Sequence, residues 1–330
     1  MAGLGSGHTD TRCGAVELAL VSWRISEGMA DFSPELWKFV AWNGVSMRVP
    51  AQWEVGSLGT SYLQMVDDMG PVLELKWKQL KRFFSHEAHL KKLARLSSST
   101  PGLEFEVTDL PDEWQHPLRN FEARSFKWQG QEVSGRGAIL YCSNCRKASL
   151  LQFYLKGDRG DSMVPLKVLQ TFQDHSENDM VIWSLFGLRA LTPQRFGLAG
   201  YRFQPGHYQL EFQCGQEHIT LSRWGPADVL LKNGDLLDWY SKICGEFDRS
   251  NAALLRESSY HGNPAIRGQS QRLDTTATRI WAKFARRLPH VWVRIWHLSS
   301  HNQILGVMAR GRKGLDEGML EEICTHYEMV

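Results

Sequence analysis

The stretch MRVPAQWEV, residues 47–55, has a counterpart later in the chain, RFQPGHYQL, residues 202–210. Pro50 then matches Pro205 at a spacing of 155 positions. The same spacing returns downstream in four further pairs: Leu150 with Leu305, Asp161 with Asp316, Val168 with Ile323, and Phe172 with Tyr327. Because one spacing returns after about 100 intervening residues, the sequence predicts an internal duplication.

The chain divides into three segments on this basis. We expect residues 1–28 to be a disordered or non-native N-terminal extension, because they are rich in Gly and Ser and lack strand or helix periodicity. Residues 29–180 would form the first repeat and residues 181–330 the second, with residues 183–191 connecting them. A length of 330 residues is enough for about two ordinary domains.

Within each repeat, alternating apolar and polar residues predict strands, as in residues 72–78 and their counterpart 218–224. A helix follows in each repeat, with Ser85 as N-cap in the first. More strands come next, and each repeat ends with a short helix that starts after an acidic residue. This order predicts an α+β fold of two similar domains, each an antiparallel sheet packed with helices.

The strand VPAQW at residues 49–53 and the helical segment VLQTF at 168–172, taken with this element order, resemble the PsbP-like family of PsbP and Mog proteins. The resemblance covers each repeat nearly end to end and rests on a few residues: Val49, Pro50, Trp53, Leu169 and Phe172. It implies a tandem PsbP-like protein that binds partners or aids assembly. It brings no catalytic residues with it.

Composition narrows the classes of function. The net charge of +2 is close to balance, so no nucleic acid is expected as a partner. No apolar run approaches the roughly 20 residues of a membrane-spanning helix, and no signal peptide is recognised. Six cysteines are too few for a disulfide framework in a chain of this size. We therefore expect a cytoplasmic protein without a membrane span.

The motif Cys142-Ser143-Asn144-Cys145 is a candidate metal site. Two thiolates at this spacing on a turn can supply two of the four ligands of a tetrahedral zinc ion. At the spacing of 155, Cys142 falls on His297 and Arg146 on His301. Zinc held by Cys142, Cys145, His297 and His301 would link the two repeats. The alternative is a turn with two incidental thiols and a pair of surface histidines.

A basic segment at residues 279–287 has no counterpart in the first repeat. Four cations combine there with Trp281 and Phe284. Aromatic rings among cations can bind single-stranded nucleic acid, and a basic amphipathic helix can lie on a membrane surface or on an acidic partner. The near-neutral overall charge favours a protein partner. The candidate partner-binding residues are Arg279, Trp281, Lys283, Arg286 and Arg287. The alternative is that the aromatic residues are core and the cations are a solvated face.

No sequence motif of a known catalytic class is present. The sequence therefore favours a non-enzymatic binding or assembly protein that presents a sheet face, or the cleft between the repeats, to a protein partner. The alternative is an enzyme or small-molecule-binding protein with a pocket between the repeats. The polar residues that could converge there are His261, Arg267, Arg294 and His297.

Overall fold

The computed structural model describes residues 36–81, 84–155, 163–176, 178–232, 234–243, 255–270 and 290–330. The predicted N-terminal extension, residues 1–28, lies outside these ranges. So does the whole basic segment at residues 279–287.

The first part of the described chain begins with a hairpin and continues through seven further strands. The strands are β1 (Trp37–Trp42), β2 (Val45–Pro50), β3 (Glu54–Gly59), β4 (Tyr62–Asp67), β5 (Gly70–Gln79), β6 (Glu104–Thr108), β7 (Glu122–Gln129), β8 (Ser134–Cys142) and β9 (Lys147–Leu155). The helices are α1 (His86–Ser98), α2 (Asp112–Gln115) and α3 (Val164–Thr171).

The second part follows a similar order. Its strands are β10 (Met180–Leu185), β11 (Leu188–Pro193), β12 (Gly197–Gln204), β13 (His207–Cys214), β14 (Glu217–Trp224), β15 (Arg256–Tyr260), β16 (Asn263–Ser270), β17 (His290–Leu298), β18 (Gln303–Gly311) and β19 (Glu328–Met329). The helices are α4 (Ala227–Leu230), α5 (Leu236–Ile243) and α6 (Glu317–Thr325). No helix among the described residues is long and apolar enough to cross a membrane.

These strands form three antiparallel sheets. The first seven-stranded sheet has the order β3-β4-β5-β9-β8-β7-β6, and the second has the order β12-β13-β14-β18-β17-β16-β15. The two orders become the same when each strand of the first sheet is replaced by the strand nine places later in the chain. The third sheet has five strands in the order β19-β11-β10-β1-β2, so it takes strands from both parts of the chain.

The predicted α+β fold of two separate domains packed with helices is wrong. The five-stranded sheet joins both parts through β1 and β10, where Ala41 pairs with Ser184. One continuous hydrophobic core extends from residues of β1 to residues after α6. The segment 183–191, expected to be a connector, lies within the β10–β11 hairpin of this sheet. The fold is mostly antiparallel sheet with few helices. The prediction of two separate domains failed because strand periodicity does not reveal which strands pair across the chain.

The turn after β2 has a structural counterpart at a spacing different from the one the sequence suggested. The backbone N–H of Trp53 donates to the carbonyl of Pro50 at 3.0 Å, and that of Phe196 donates to the carbonyl of Pro193 at 2.9 Å. Both aromatic rings are buried in the main core. Pro50 therefore corresponds to Pro193, whereas Pro205 lies in the turn between β12 and β13.

The spacing of 155 also fails in β9 and β18. Leu150 packs on a small cluster beneath α1, whereas Leu305 lies in the main core. A shift of one residue along a strand moves each side chain to the opposite face of the sheet. Residues of β9 that share the core-facing side with Leu305 are Leu151 and Phe153.

An aromatic cluster at the centre of the main core joins the two parts of the chain. Trp42 on β1 is 1% exposed and meets Trp183 and Tyr201 edge to face, with centroid distances of 5.3 and 5.2 Å. Its indole N–H donates to the carbonyl of Gly59 at 2.7 Å. The Tyr201 hydroxyl donates to the carbonyl of Leu58 at 2.9 Å. The buried polar atoms of the cluster are thus paired, and the cluster ties β3 to β12.

Replacing Trp42 with alanine tests whether the two parts unfold together. We expect Trp42→Ala to lower the free energy of unfolding by about 3–5 kcal/mol, because a large buried ring leaves a cavity. The transition should stay single by both fluorescence and circular dichroism in a denaturant titration. Leu96→Ala is the control, since Leu96 is 57% exposed on α1, and it should change stability by less than about 0.5 kcal/mol. Two separate transitions would contradict a shared core.

Candidate functional site

A groove of about 860 Å³ lies on the second seven-stranded sheet. Residues of β12, β13, β14 and β18 contribute to its lining, and α4 and α5 contribute from the helical side. Cavities of this volume are in the range that holds a ligand or an anchoring side chain of a partner. Within the described residues, the groove is therefore the candidate binding site.

The helix α4 forms part of the groove because the turn between β17 and β18 holds its first residues. The side chain of Asn302 in that turn accepts from the N–H of Asp228 at 2.8 Å and donates to the Asp228 carboxylate at 2.9 Å. The carbonyl of Asn302 accepts from the N–H of Ala227 at 2.8 Å. These bonds satisfy donors that the first turn of a helix leaves unpaired. Leu230, at the end of α4, lines the groove.

Aromatic rings dominate one side of the groove. Helix α5 buries Leu236, Trp239 and Tyr240, which lie on one face at helical spacing. Trp224 at the end of β14 meets Trp239 edge to face at a centroid distance of 5.4 Å. His207 on β13 stacks on Trp224 at 5.2 Å with an interplanar angle of 11°. The groove thus offers flat apolar surfaces with a polar ring among them.

His207 lines the groove and has a nitrogen without a hydrogen-bond partner among the described residues. Its Nε2 atom is buried and makes no hydrogen bond with the described residues. Burial lowers the pKa of His207, and the nearby charge of Arg202 lowers it further. The neutral ring therefore carries a buried nitrogen without a hydrogen-bond partner, which is costly for stability.

The groove is bordered by exposed aliphatic residues. Val229 on α4 is 64% exposed and stands next to Leu230, and Ile243 at the end of α5 is 46% exposed and lines the groove itself. Large apolar side chains that remain exposed beside a groove are a feature of interaction sites. The aromatic rings and Ile243 give the groove an apolar part, and Gln209 and Glu211 are among its polar lining residues.

The C-x-x-C motif lies in the first seven-stranded sheet. Cys142 is the last residue of β8 and is buried, and Cys145 lies in the turn that leads to β9. The structure brings both thiols together with Asp174 and His175, which follow α3, and the four donor atoms all lie within 4.8 Å of one another. This cluster can hold a metal ion.

Sequence reasoning missed Asp174 and His175. Their signal was an adjacent acid and imidazole just after the last helix of the first part, but nothing in the spacing linked them to the cysteines. The spacing of 155 had suggested His297 and His301 instead. His297 lies on β17 of the second seven-stranded sheet, and His301 lies in the short 3-10 turn that follows β17, whereas the cysteines belong to the first sheet. The His301 ring nitrogen Nδ1 contacts the Ser300 hydroxyl at 2.9 Å. Zinc binding itself stays a prediction.

A redox role for Cys145 is disfavoured by its surroundings. Burial raises the pKa of the Cys145 thiol to about 12, and its hydrogen bond to the Asp174 carboxylate at 3.2 Å acts in the same direction. Reactive C-x-x-C cysteines need the opposite shift, because the thiolate is the nucleophile.

Five further residues were singled out from the sequence as candidates for partner binding. Arg279, Trp281, Lys283, Arg286 and Arg287 lie outside the described residues.

The polar residues expected to converge between the repeats lie along the hairpin strands of the second sheet. Arg267 on β16 is the register partner of Arg294 on β17. The Arg294 guanidinium forms an ion pair with Glu321 on α6 and lies 4.9 Å from the centre of the Tyr260 ring. None of His261, Arg267, Arg294 and His297 lines the groove.

No protein-family model matches the sequence, and no curated protein matches it significantly. Among solved structures, the Ran-binding protein Mog1p of Saccharomyces cerevisiae is 8% identical with a TM-score of 0.32, over 42% of this chain and 95% of that one. The immunity protein TplEi of the T6SS from Pseudomonas aeruginosa is 8% identical with a TM-score of 0.34, over 91% and 99%. A chain from a Tle4–Tli4 complex is 6% identical with a TM-score of 0.33, over 90% and 98%. Scores this low carry no argument about function.

Titration of His207 tests the burial of its ring in the groove. We expect its pKa to lie below the ordinary histidine value of about 6.5, because burial penalises the cation. The unfolded chain then binds the proton more readily, so His207 makes stability fall as the pH drops below that value. In the variant Trp224→Ala, the His207 ring becomes more exposed to solvent, so the pKa of His207 should rise. Histidine-selective NMR measures both. A wild-type pKa at or above the ordinary value would contradict the burial.

Proposed function

We propose that this protein is a non-enzymatic binding protein whose groove on the second seven-stranded sheet holds an apolar segment of a protein partner. The observation that carries the proposal is that the aromatic rings and the exposed Ile243 line the same groove. Aromatic residues are enriched at protein interfaces, and their binding energy concentrates where a partner's side chain fills a dry pocket.

The chemistry of the groove favours a protein segment as its occupant. An aliphatic or aromatic side chain would pack against the cluster of Trp224, Trp239 and Tyr240, whose rings contact one another. The exposed aliphatic border would then cover the flanks of the segment, which an enclosed small-molecule pocket would not require.

We also infer that the two parts of the chain descend from one duplicated PsbP-like unit, with the boundary between residues 180 and 181. The identical strand orders of the two seven-stranded sheets support this inference. The repeated turn, with Pro50 and Trp53 in one part and Pro193 and Phe196 in the other, supports it as well. We place the protein in the cytoplasm, in keeping with the free thiols of Cys142, Cys145, Cys214 and Cys324.

Charged substitutions at the border of the groove test the proposed function. A random peptide library displayed on phage, selected on the full chain, should yield peptides with aromatic or aliphatic anchors. The double variant Val229→Arg, Ile243→Arg should weaken their binding by about tenfold or more, because it places cations on a desolvated apolar contact. Calorimetry or biolayer interferometry measures the affinity.

The matched control carries the same change on another exposed apolar pair, Leu96→Arg with Val107→Arg, which lie on α1 and β6. Peptide binding should be unaffected in this control. Peptides that still bind the groove variant, or a selection that yields none, would refute the proposal. Small organic fragments that bind where peptides do not would favour the small-molecule alternative.

A further inference from the structure

A second site lies where the turn between β8 and β9 meets the chain that leaves α3. After α3, Gln173 exchanges two backbone hydrogen bonds with Ser46 of β2, each 2.8 Å long. The next two residues, Asp174 and His175, then lie against the C-x-x-C turn. Backbone pairing on one side therefore positions these side chains against Cys142 and Cys145 on the other.

The four donor atoms have the spacing of a small coordination sphere. The Cys145 Sγ lies 3.2 Å from Asp174 Oδ2, the Cys142 Sγ lies 3.9 Å from His175 Nδ1, and all four donors lie within 4.8 Å of one another. Zinc bonds of about 2.3 Å to sulfur and about 2.0–2.2 Å to nitrogen and oxygen place the ligands of a tetrahedron roughly 3.3–3.8 Å apart. The separations of 3.2 and 3.9 Å lie close to this range, and no two donor atoms are more than 4.8 Å apart.

Burial and charge also fit a divalent cation. Asp174 is only 2% exposed, and its carboxylate contacts a thiol and an imidazole. The buried ammonium of Lys147 donates to the carbonyl of Gly44 at 2.8 Å and to the carbonyl of Asp174. Zn²⁺ with two thiolates and one carboxylate carries a net charge of −1, which the Lys147 ammonium balances. A buried site without net charge avoids the cost of an uncompensated ion.

We propose that Cys142, Cys145, Asp174 and His175 bind one Zn²⁺ ion in a structural site that fastens the β8–β9 turn to the segment after α3. Four protein ligands fill the tetrahedron and leave no position for water or substrate, which distinguishes a structural zinc from a catalytic one. Binding releases the two thiol protons to solvent and changes no oxidation state. Thiolate and imidazole donors select zinc over magnesium and calcium.

The site belongs to the first part of the chain alone. In the second part, the turn between β17 and β18 carries His301 but no cysteine. The chain after α6 forms β19 and pairs with β11, Leu188 with Met329 and Arg189 with Glu328. That end of the chain is held by strand pairing, whereas Gln173 makes a single bridge with Ser46.

Metal analysis of the full chain, purified without chelator, tests the proposal. We expect close to one zinc per chain, and cobalt substitution should give the visible absorption of tetrahedral Co²⁺ with thiolate-to-metal charge transfer in the near ultraviolet. Asp174→Asn and His175→Gln keep the size of each side chain. Each should weaken zinc binding by about 10–100-fold or more, because loss of even an outer-shell partner costs that much.

Three variants serve as controls that should bind zinc like the wild type: Cys214→Ser, His297→Ala and His301→Ala. Circular dichroism establishes that every variant is folded. Loss of zinc in His297→Ala or His301→Ala, or unchanged affinity in both Asp174→Asn and His175→Gln, would overturn the ligand assignment. A metal-free protein with a disulfide between Cys142 and Cys145, found by mass spectrometry, would overturn the site.

Discussion

The pairing of β1 with β10 is the constraint on which the rest of the structure depends. These two strands lie at the centre of the five-stranded sheet, and each forms a hairpin with its neighbour, β2 or β11. An isolated two-stranded hairpin is marginally stable in water, so neither hairpin is a sheet by itself. Their union creates a surface on which Trp42 and Trp183 pack, and both indole N–H groups find acceptors inside the protein. The two parts of the chain therefore share one core.

The groove follows from how the second seven-stranded sheet is covered. One face of each seven-stranded sheet contributes to the shared core, and the other face carries short helices. On the first sheet, α1 covers a small cluster that includes Leu90 and Phe126. On the second, α4 and α5 bring larger rings, among them Trp239, and the cover leaves the groove between helix and strands. Short helices that pack by bulky aromatic residues leave space beside the rings, and a binding site can use that space.

Local features of the fold could be predicted from the sequence, and long-range ones could not. Alternation predicted the strand at residues 72–78, which lies within β5, and Ser85 caps α1 by accepting from the N–H of Ala88 at 3.2 Å. Strand pairing depends on contacts between residues far apart, so the β10–β11 hairpin resembled a connector. The C-x-x-C turn was recognisable because its two cysteines lie close together in the sequence. Asp174 and His175 were not, because they are brought to the cysteines by the pairing of Gln173 with Ser46. The spacing of 155 misled further, because an error of one residue exchanges the faces of a strand.

The segments that follow α3 and α6 are held differently, which explains why a metal would be useful only after α3. After α6, the chain pairs with β11 as β19, and the N–H of Val330 donates to the carbonyl of Gly187 at 3.0 Å. After α3, the chain makes one isolated bridge, between Gln173 and Ser46, before β10 begins at Met180. Strand pairing with β11 holds the segment after α6, whereas the segment after α3 has only the Gln173–Ser46 bridge. A metal bound by Asp174 and His175 would supply, through coordination, the restraint that hydrogen bonds supply at the other end.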